Sequence, residues 1–421
     1  MQFVKIAKQF CERNRAVLEN LSYMSVFQIF MMVAPLITYP YLVKTLGMEL
    51  YGVVLTAQML ASYATLVVDF GSTSVSARHI SVNRDNKEKL AEILNSVLCA
   101  RAGLCMLCFF LYLIIVYVVP IYRQHYLLFV ITYLFTINDV LYPQFFFQGL
   151  ERIKTITLLN VLTKLAFIST VFFVVKDESD YVLVPLLYGI GYIIGSSIAL
   201  YIIYFKYKIR FYIPPLKTII YYFKDCMPIF ATDLICVIKD KINYMLVGPF
   251  LGMESVVVYD LALKLNNIIG KPQSIIDTVM FPRIAKNKNF RLFKKVTLCT
   301  ALIVLAIVIA SNIFLPWIVD FFLHKQVDLI PIRLMLLAPV ILAVSANIAT
   351  NFFVAFGHNK FILYSILVTT SVYLLIVCVM YFTNNIQSIY SFVIMALIPY
   401  MAELVYRIFA ARYVIKKDNI K

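Results

Sequence analysis

The chain has 421 residues, of which 62% are apolar and only 14% are charged. A soluble globular protein is closer to half apolar and a quarter charged, so the composition excludes that class. The formal net charge of +16 does not indicate a nucleic-acid-binding protein. The Lys and Arg residues lie in short clusters between apolar runs, which is the distribution expected for the loops of a membrane protein.

The apolar residues form runs that are long enough, at about 20 residues, to cross a bilayer as helices. The connectors between these runs are short, and no soluble domain is inserted. The sequence therefore predicts an all-α integral membrane protein with about twelve transmembrane helices. In chain order the predicted spans are 22–43, 51–72, 92–119, 126–148, 155–175, 181–205, 228–248, 255–281, 296–319, 329–355, 361–382 and 387–410.

The charge of the connectors predicts the orientation. If the N-terminus lies in the cytoplasm, the cytoplasmic segments hold 26 Lys and Arg residues and the opposite connectors hold 4. Positive residues are enriched in cytoplasmic loops. Both termini are therefore expected in the cytoplasm.

Internal similarity predicts two halves. The sequence LGME occurs at 46–49 and again at 251–254, and FFFQGLERI (145–153) resembles FVAFGHNKF (353–361) at an offset of 208. The N-terminal stretch and residues 214–227 both have the pattern of an amphipathic helix at the membrane interface. We therefore expect an N-terminal lobe at 1–213 and a C-terminal lobe at 214–421. Each lobe would hold six helices, arranged as parallel repeats around a central cavity.

The eighth predicted span carries a polar stripe. Asp260, Lys264, Asn267, Lys271, Ser274 and Thr278 are separated alternately by four and three residues, which places them on one helical face. Such a stripe must face protein or water, because lipid cannot satisfy it. One interpretation is an Asp260–Lys264 pair with interhelical contacts. The other is a hydrated lumen in which ammonium groups neutralise a diphosphate and amides bond sugar hydroxyls.

Further charged residues within the spans are candidates for the same lumen. Lys271 is the strongest candidate for direct contact, since no Asp lies three or four residues away on its own helix. Asn138 and Asn160 are expected beside the candidates of the first lobe, whereas Glu403 and Arg407 are expected to form a structural pair. The candidate lumen residues are Lys264, Lys271, Asp260, Asn267, Lys239, Asp240, Lys241, Lys164, Asp139 and Arg101.

Catalytic and cofactor-binding motifs are not found in the sequence. It contains no GxxxxGK[ST] loop, so an ATPase site is not predicted. No metal and no cofactor are expected. Coupling to an ion gradient stays open, and the sequence does not specify the ion.

Three stretches resemble the signature blocks of Wzx-type O-antigen flippases, which share a superfamily with MATE antiporters and MurJ-type lipid flippases. They are YPYLVKTLGMELYG (39–52), VVDFGSTSVSARHIS (67–81) and PQFFFQGLERIKTIT (143–157). Lys44 and Phe145 depart from the family's usual Arg and Trp. The residues that carry the resemblance are Gly47, Asp69, Gly71, Arg78, Pro143, Phe147, Gln148, Gly149 and Glu151.

This resemblance implies a MATE-like fold and a flippase in the bacterial inner membrane. The implied substrate is an undecaprenyl-diphosphate-linked oligosaccharide, moved by alternating access between membrane leaflets. A polysaccharide polymerase and a chain-length regulator would be partners, and membrane lipids would surround the chain. A MATE-like exporter of organic cations stays an alternative, although it predicts a net acidic lumen. A membrane polymerase or glycosyltransferase is a further alternative, but it normally needs a longer external loop than this chain has.

Overall fold

The computed structural model describes residues 15–418, except for the side chains of residues 15–29, 31, 153, 236, 238–240 and 287. Within this range the chain is helical and contains no strand. The all-α prediction is confirmed. An apolar chain in lipid has to bond its own backbone, and a helix does so within each segment.

We number the α-helices in chain order. They are α1 (Arg15–Asp69), α2 (Ser72–Val82), α3 (Lys87–Val118), α4 (Pro120–Gln124), α5 (Tyr126–Thr132), α6 (Leu134–Leu141), α7 (Gln144–Gly149), α8 (Ile153–Val174), α9 (Leu183–Tyr201), α10 (Leu216–Leu251), α11 (Met253–Asn287), α12 (Phe290–Leu323), α13 (Ile330–Met335), α14 (Ala338–Asn347), α15 (Lys360–Phe382) and α16 (Ile389–Lys417). Short 3₁₀ turns at Glu178–Val182 and Asn385–Gln387 and π-helical turns at Ile202–Lys206 and Ile348–Val354 join or extend them.

The helices account for a chain that crosses a membrane many times. Nine helical segments of the described range have the length and hydropathy of membrane spans. One of them contains most of α1, which Gly47 divides into two arms. The helices α10 and α11, with 36 and 35 residues, are also long enough to span but carry more charge. About twelve spans are consistent with these lengths.

Two glycines join long helices in the same way. Gly47 has φ 73° and ψ 162°, and Gly252, between α10 and α11, has φ 86° and ψ 162°. This backbone region is open almost only to glycine, because a side chain would clash there. Both glycines belong to the two LGME sequences.

Two of the predicted spans are interrupted rather than continuous. The span predicted at 126–148 is divided into α5, α6 and α7, and the one at 329–355 into α13, α14 and a π-helical turn. Pro143 lies immediately before α7, and Pro339 is in the first turn of α14. Proline lacks a backbone N–H and is tolerated at a helix start, so it marks such breaks.

The chain forms two compact units. One holds the described residues up to Leu50 together with Ala57–Asp233, and the other holds Tyr51–Thr56 together with the described residues from Leu234 onward. The chain passes from the first unit to the second within α10, about 20 residues after the predicted lobe boundary. The predicted interfacial stretch 214–227 begins α10 without a break, and the N-terminal one lies largely outside the described residues. The interfacial position of both stays a prediction.

Candidate functional site

The second unit contains a cavity of about 270 Å³ between α10, α11, α13, α14, α15 and α16. Apolar side chains such as Met335, Leu342 and Met395 form part of its wall. None of the described residues that border it is an Asp or a Glu. Its polar lining consists of carboxamides, phenols, one hydroxyl and one ammonium group, contributed by Asn243, Tyr259, Asn266, Asn267, Lys271, Gln273, Ser274, Tyr373 and Tyr400.

Lys271 supplies the cavity's ammonium group. Its side chain is half-buried on α11, and no described carboxylate lies within 4.0 Å of its amine. Lys264, two turns earlier, instead donates to Asp260, which also accepts a hydrogen bond of 3.0 Å from the Tyr244 hydroxyl. The expected Asp260–Lys264 pair is confirmed. The polar stripe therefore divides into a neutralised pair and a lysine that is available to an anion.

The amides around Lys271 are partly satisfied by protein. The Tyr373 hydroxyl donates to Asn243 Oδ1 at 2.8 Å, whereas the buried Asn266 Oδ1 has no hydrogen-bond partner. Gln273 donates through its amide nitrogen to the buried Asp277, which also accepts from Asn351 at 2.7 Å. The carboxamide of Asn267, which is exposed and borders the cavity, can donate to and accept from a ligand hydroxyl. The wall is therefore suited to a polyhydroxylated ligand with a negative charge.

The first unit has a separate cavity of about 380 Å³, lined by Phe135, Asn138, Asp139, Tyr142, Gln144, Asn160 and Tyr192. Asn138, Asp139 and Asn160, which the sequence predicts to lie together, all border it. Lys164 is on α8 and only 7% exposed, but it does not line this cavity, and no described carboxylate pairs with it.

Arg101 is enclosed by protein at 3% exposure, and each of its five N–H groups has an acceptor. Nε donates to the Ser72 hydroxyl at 2.8 Å, and Nη1 donates to the backbone oxygens of Asp139 and Tyr142 at 2.9 and 3.3 Å. Nη2 donates to Thr73 at 2.8 Å and forms an ion pair with Asp69. The guanidinium also lies over the Phe145 ring. No donor is left for a substrate, so this placement gives no support to the predicted lumen role.

Two of the three signature blocks pack against each other. A Cβ on Gly149 of α7 would lie 2.6 Å from both the Ala77 oxygen and the Ile80 side chain of α2, so only glycine permits this approach. Arg84 and Glu151 form an ion pair of 2.7 Å beside this contact.

The glycine and arginine of the second block have their own contacts. Gly71 has φ 71° at the start of α2 and approaches Ile229 closely. Arg78 forms an ion pair of 2.8 Å with Asp225. The remaining block residues include Phe147, which is fully buried, Gln148, which is exposed, and Pro143, which precedes α7.

Comparison with known proteins identifies the family. The family described as "Polysaccharide biosynthesis protein" matches residues 17–288, which is more than half of the chain. The chain belongs to this family. A relative from Escherichia coli strain K12 that carries the name of an O-antigen transporter is 25% identical to this chain over 349 residues, covering 81% of this chain and 83% of the relative. Its counterpart in Shigella dysenteriae is 24% identical over 338 residues, with 77% and 83% covered.

Solved structures share the fold at low identity. The lipid II flippase MurJ in an inward closed conformation has a TM-score of 0.74 at 15% identity, covering 93% of this chain and 87% of that one. An outward-facing multidrug resistance MATE transporter of the MOP superfamily has a TM-score of 0.59 at 14% identity, with 94% and 93% covered. These likenesses show the MATE- and MurJ-like fold. The resemblance to Wzx-type flippases is confirmed, and the named relatives and neighbours are transporters rather than enzymes.

Only part of the polar lining of the second unit's cavity is predicted from the sequence. Asn267, Lys271 and Ser274 of the stripe border it, and Asp260 and Lys264 form their pair nearby on α11. Lys241 is half-buried on α10 and does not line the cavity, while the side chains of Lys239 and Asp240 lie outside the described residues. The polar lining residues that are not predicted from the sequence are Asn243, Tyr259, Asn266, Gln273, Tyr373 and Tyr400. They come from four helices. Tyr259, Asn266 and Gln273 follow one another at intervals of seven on α11, which is a signal that the sequence contains, whereas the residues on α10, α15 and α16 share no spacing with them.

Proposed function

We propose that this chain is a flippase for a lipid-linked oligosaccharide. The finer proposal is that it moves an undecaprenyl-diphosphate-linked repeat unit across the bacterial inner membrane by alternating access, with both termini in the cytoplasm. Family membership and the names of the two relatives support transport of O-antigen or a related polysaccharide unit. A polymerase and a chain-length regulator would use the product.

The observation that carries this proposal is Lys271 in the cavity of the second unit. An ammonium group without a protein carboxylate attracts a phosphate, and hydrogen bonds that involve such a charge are roughly twice as strong as neutral ones. The surrounding carboxamides and phenols supply donors and acceptors for sugar hydroxyls. The cavity thus offers complementary groups to both parts of a sugar diphosphate.

A cation exporter would need the opposite charge at this place. Among the residues that the structure describes, the cavity of the second unit is bordered by a lysine and by no carboxylate, a lining that repels an organic cation. Asp139 borders the cavity of the first unit and does not border that of the second. The charge around Lys271 therefore favours an anionic substrate over the MATE-like alternative.

The test compares Lys271→Met with Lys271→Arg in the native host. Loss of the ammonium should lower surface polysaccharide by about tenfold or more, since a charged hydrogen bond contributes ~1.5–3 kcal/mol. Arginine should retain most of it, because a phosphate accepts either cation. Lys325→Met is the matched control, since Lys325 forms an exposed pair with Glu254. Membrane abundance is measured for every variant.

Three outcomes would contradict the proposal. Full polysaccharide from Lys271→Met at normal abundance would remove Lys271 from transport. Loss of the protein from the membrane would assign Lys271 to packing. A gene deletion that leaves surface polysaccharide normal and creates a new drug sensitivity would favour the cation exporter.

A further inference from the structure

The described residues of α11 and α12 border a second, chemically different cavity. It is a groove of about 450 Å³ lined by Ile275, Ile276, Val279, Met280, Leu292, Lys295, Val296, Cys299 and Thr300. This volume is within the range of roughly 300–1,000 Å³ that is typical of ligand sites. We propose that this groove, named here the α11–α12 groove, binds the hydrocarbon tail of the transported lipid. The inference rests on the proposed function and adds a site for the lipid part of the substrate.

The groove is suited to hydrocarbon because it offers almost no free polar group. Thr300, at its base, satisfies its hydroxyl by donating to the Val296 backbone oxygen at 2.8 Å. Ile275 and Val279 are more than half exposed, so apolar surface faces outward along α11. A hydrocarbon chain can pack there without leaving a polar group of the groove unpaired, and its gain is van der Waals contact rather than removal from water.

Lys295 provides the charge that distinguishes this groove from an ordinary lipid-facing surface. It is exposed in the second turn of α12, and no described carboxylate lies within ion-pair distance of its amine. A cation at the edge of an apolar groove matches a lipid whose phosphate directly follows its hydrocarbon chain. Lys295 and the groove wall together therefore select an anionic amphiphile.

The position of the groove on α11 favours the substrate over a bulk phospholipid. Ser274 and Thr278 are exposed members of the polar stripe, and each directly precedes an exposed apolar residue, Ile275 or Val279. Consecutive residues of an α-helix are rotated by about 100°, so the polar and apolar faces lie side by side. Lys271 is only one turn from Ile275. One helix thus presents adjoining surfaces for a sugar diphosphate and for a hydrocarbon tail.

The experiment uses the full chain in nanodiscs of phosphatidylethanolamine and phosphatidylglycerol. The probe is a polyprenyl phosphate with a diazirine near its phosphate end, and labelled peptides are mapped after irradiation. We expect labelling at residues of the groove, competed by unlabelled polyprenyl phosphate and not by added phosphatidylglycerol. Val279→Trp should fill the groove and remove this labelling. Leu302→Trp, at an exposed position of α12 outside the groove, should retain it.

A second pair of measurements tests the role of Lys295. Lys295→Gln should lower labelling by the polyprenyl phosphate by about tenfold, the loss expected for one charge-assisted hydrogen bond. It should not change labelling by the corresponding polyprenol, which has no phosphate. Equal losses with both probes would overturn the assigned role of Lys295.

The outcomes separate this inference from the proposed function. Labels spread evenly over the lipid-facing helices, or equal competition by phosphatidylglycerol, would refute the α11–α12 groove as a binding site for the lipid tail. The proposed transport function would not be affected, because the Lys271 variants test it separately. Normal surface polysaccharide in the deletion strain would instead refute the substrate, and with it the assignment of the tail. Loss of polysaccharide in Val279→Trp but not in Leu302→Trp would support both.

Discussion

Replacing Arg101 tests whether its buried cluster is structural. We expect Arg101→Met to destabilise the first unit strongly, because methionine keeps the apolar stem and removes all five donors. Two backbone oxygens, those of Asp139 and Tyr142, would lose their bonds from the guanidinium. Asp69 would lose its cation and keep only the hydrogen bond from Thr73.

The magnitude follows from these contacts. Breaking a buried ion pair by removing one partner costs about 3–5 kcal/mol. The Asp69 side chain is 30% exposed, and water can therefore screen part of its charge. We therefore expect Arg101→Met to lower the free energy of unfolding by about 3 kcal/mol, the lower end of that range. The net stability of a protein is only about 5–15 kcal/mol, so the folded fraction in the membrane should fall visibly.

The assay measures membrane abundance and the thermal stability of the detergent-purified chain for Arg101→Met, Asp69→Asn and the double variant. If the pair is structural, the double variant should be less destabilised than the sum of the single variants, because no charge is left unpaired. Arg101→Lys should be intermediate, since an ammonium keeps the ion pair but cannot reach all five acceptors. A stable, abundant Arg101→Met that fails to make surface polysaccharide would refute this reasoning and assign Arg101 to the lumen.

Two further predictions concern packing and topology. Gly149→Ala should lower the free energy of unfolding by about 1–3 kcal/mol, because the added methyl group overpacks against Ala77. Gly103→Ala should be neutral or stabilise α3 by up to about 1 kcal/mol, since nothing lies within 4 Å of its Cβ position. The thermal stabilities of the two purified variants should therefore differ, and equal values would contradict the close contact at Gly149. A reporter enzyme fused after Lys325 should be external and one fused after Lys288 should be cytoplasmic, because positive residues are enriched in the loops predicted to be cytoplasmic. Activity on the same side for both fusions would show that the number of spans predicted between them is wrong.

The helices could be predicted because their signal is local. Runs of apolar residues are bounded by charges, and each run satisfies its own backbone as a helix. The breaks within two of the spans are harder to predict from the sequence. Pro143 and Pro339 mark them, but a proline in a membrane helix can also be accommodated by a bend.

The partners of buried charges depend on tertiary contacts that spacing does not contain. The pairs Asp260–Lys264 and Glu403–Arg407 could be predicted, because residues four apart share a helical face, and the structure has both. A charge within a span indicates a functional position, which is why the sequence predicts a lumen role for Arg101. Its acceptors come from three other segments, and no periodicity relates them to α3.

The two halves of the chain repeat backbone features as well as sequence. Gly47 and Gly252, 205 residues apart, have nearly the same dihedral angles, in a region that other residues rarely adopt. A second match joins Glu151 and Gly357, which both have positive φ. The residue after each bonds back five positions, Arg152 to Phe147 at 2.8 Å and His358 to Phe353 at 2.7 Å.

The second match changes the alignment of the two halves. It places them 206 residues apart rather than 208, and so agrees within one residue with the separation of the two glycines. Two unrelated backbone requirements, at separations of 205 and 206 residues, favour duplication of a single six-helix ancestor. If the halves are parallel repeats, an offset of 206 aligns Lys271 with Thr65 and Asp139 with Ser345. Each of these two charges then corresponds to an uncharged hydroxyl residue in the other half, so the charges that distinguish the two cavities would have arisen, or been lost from the other half, after duplication.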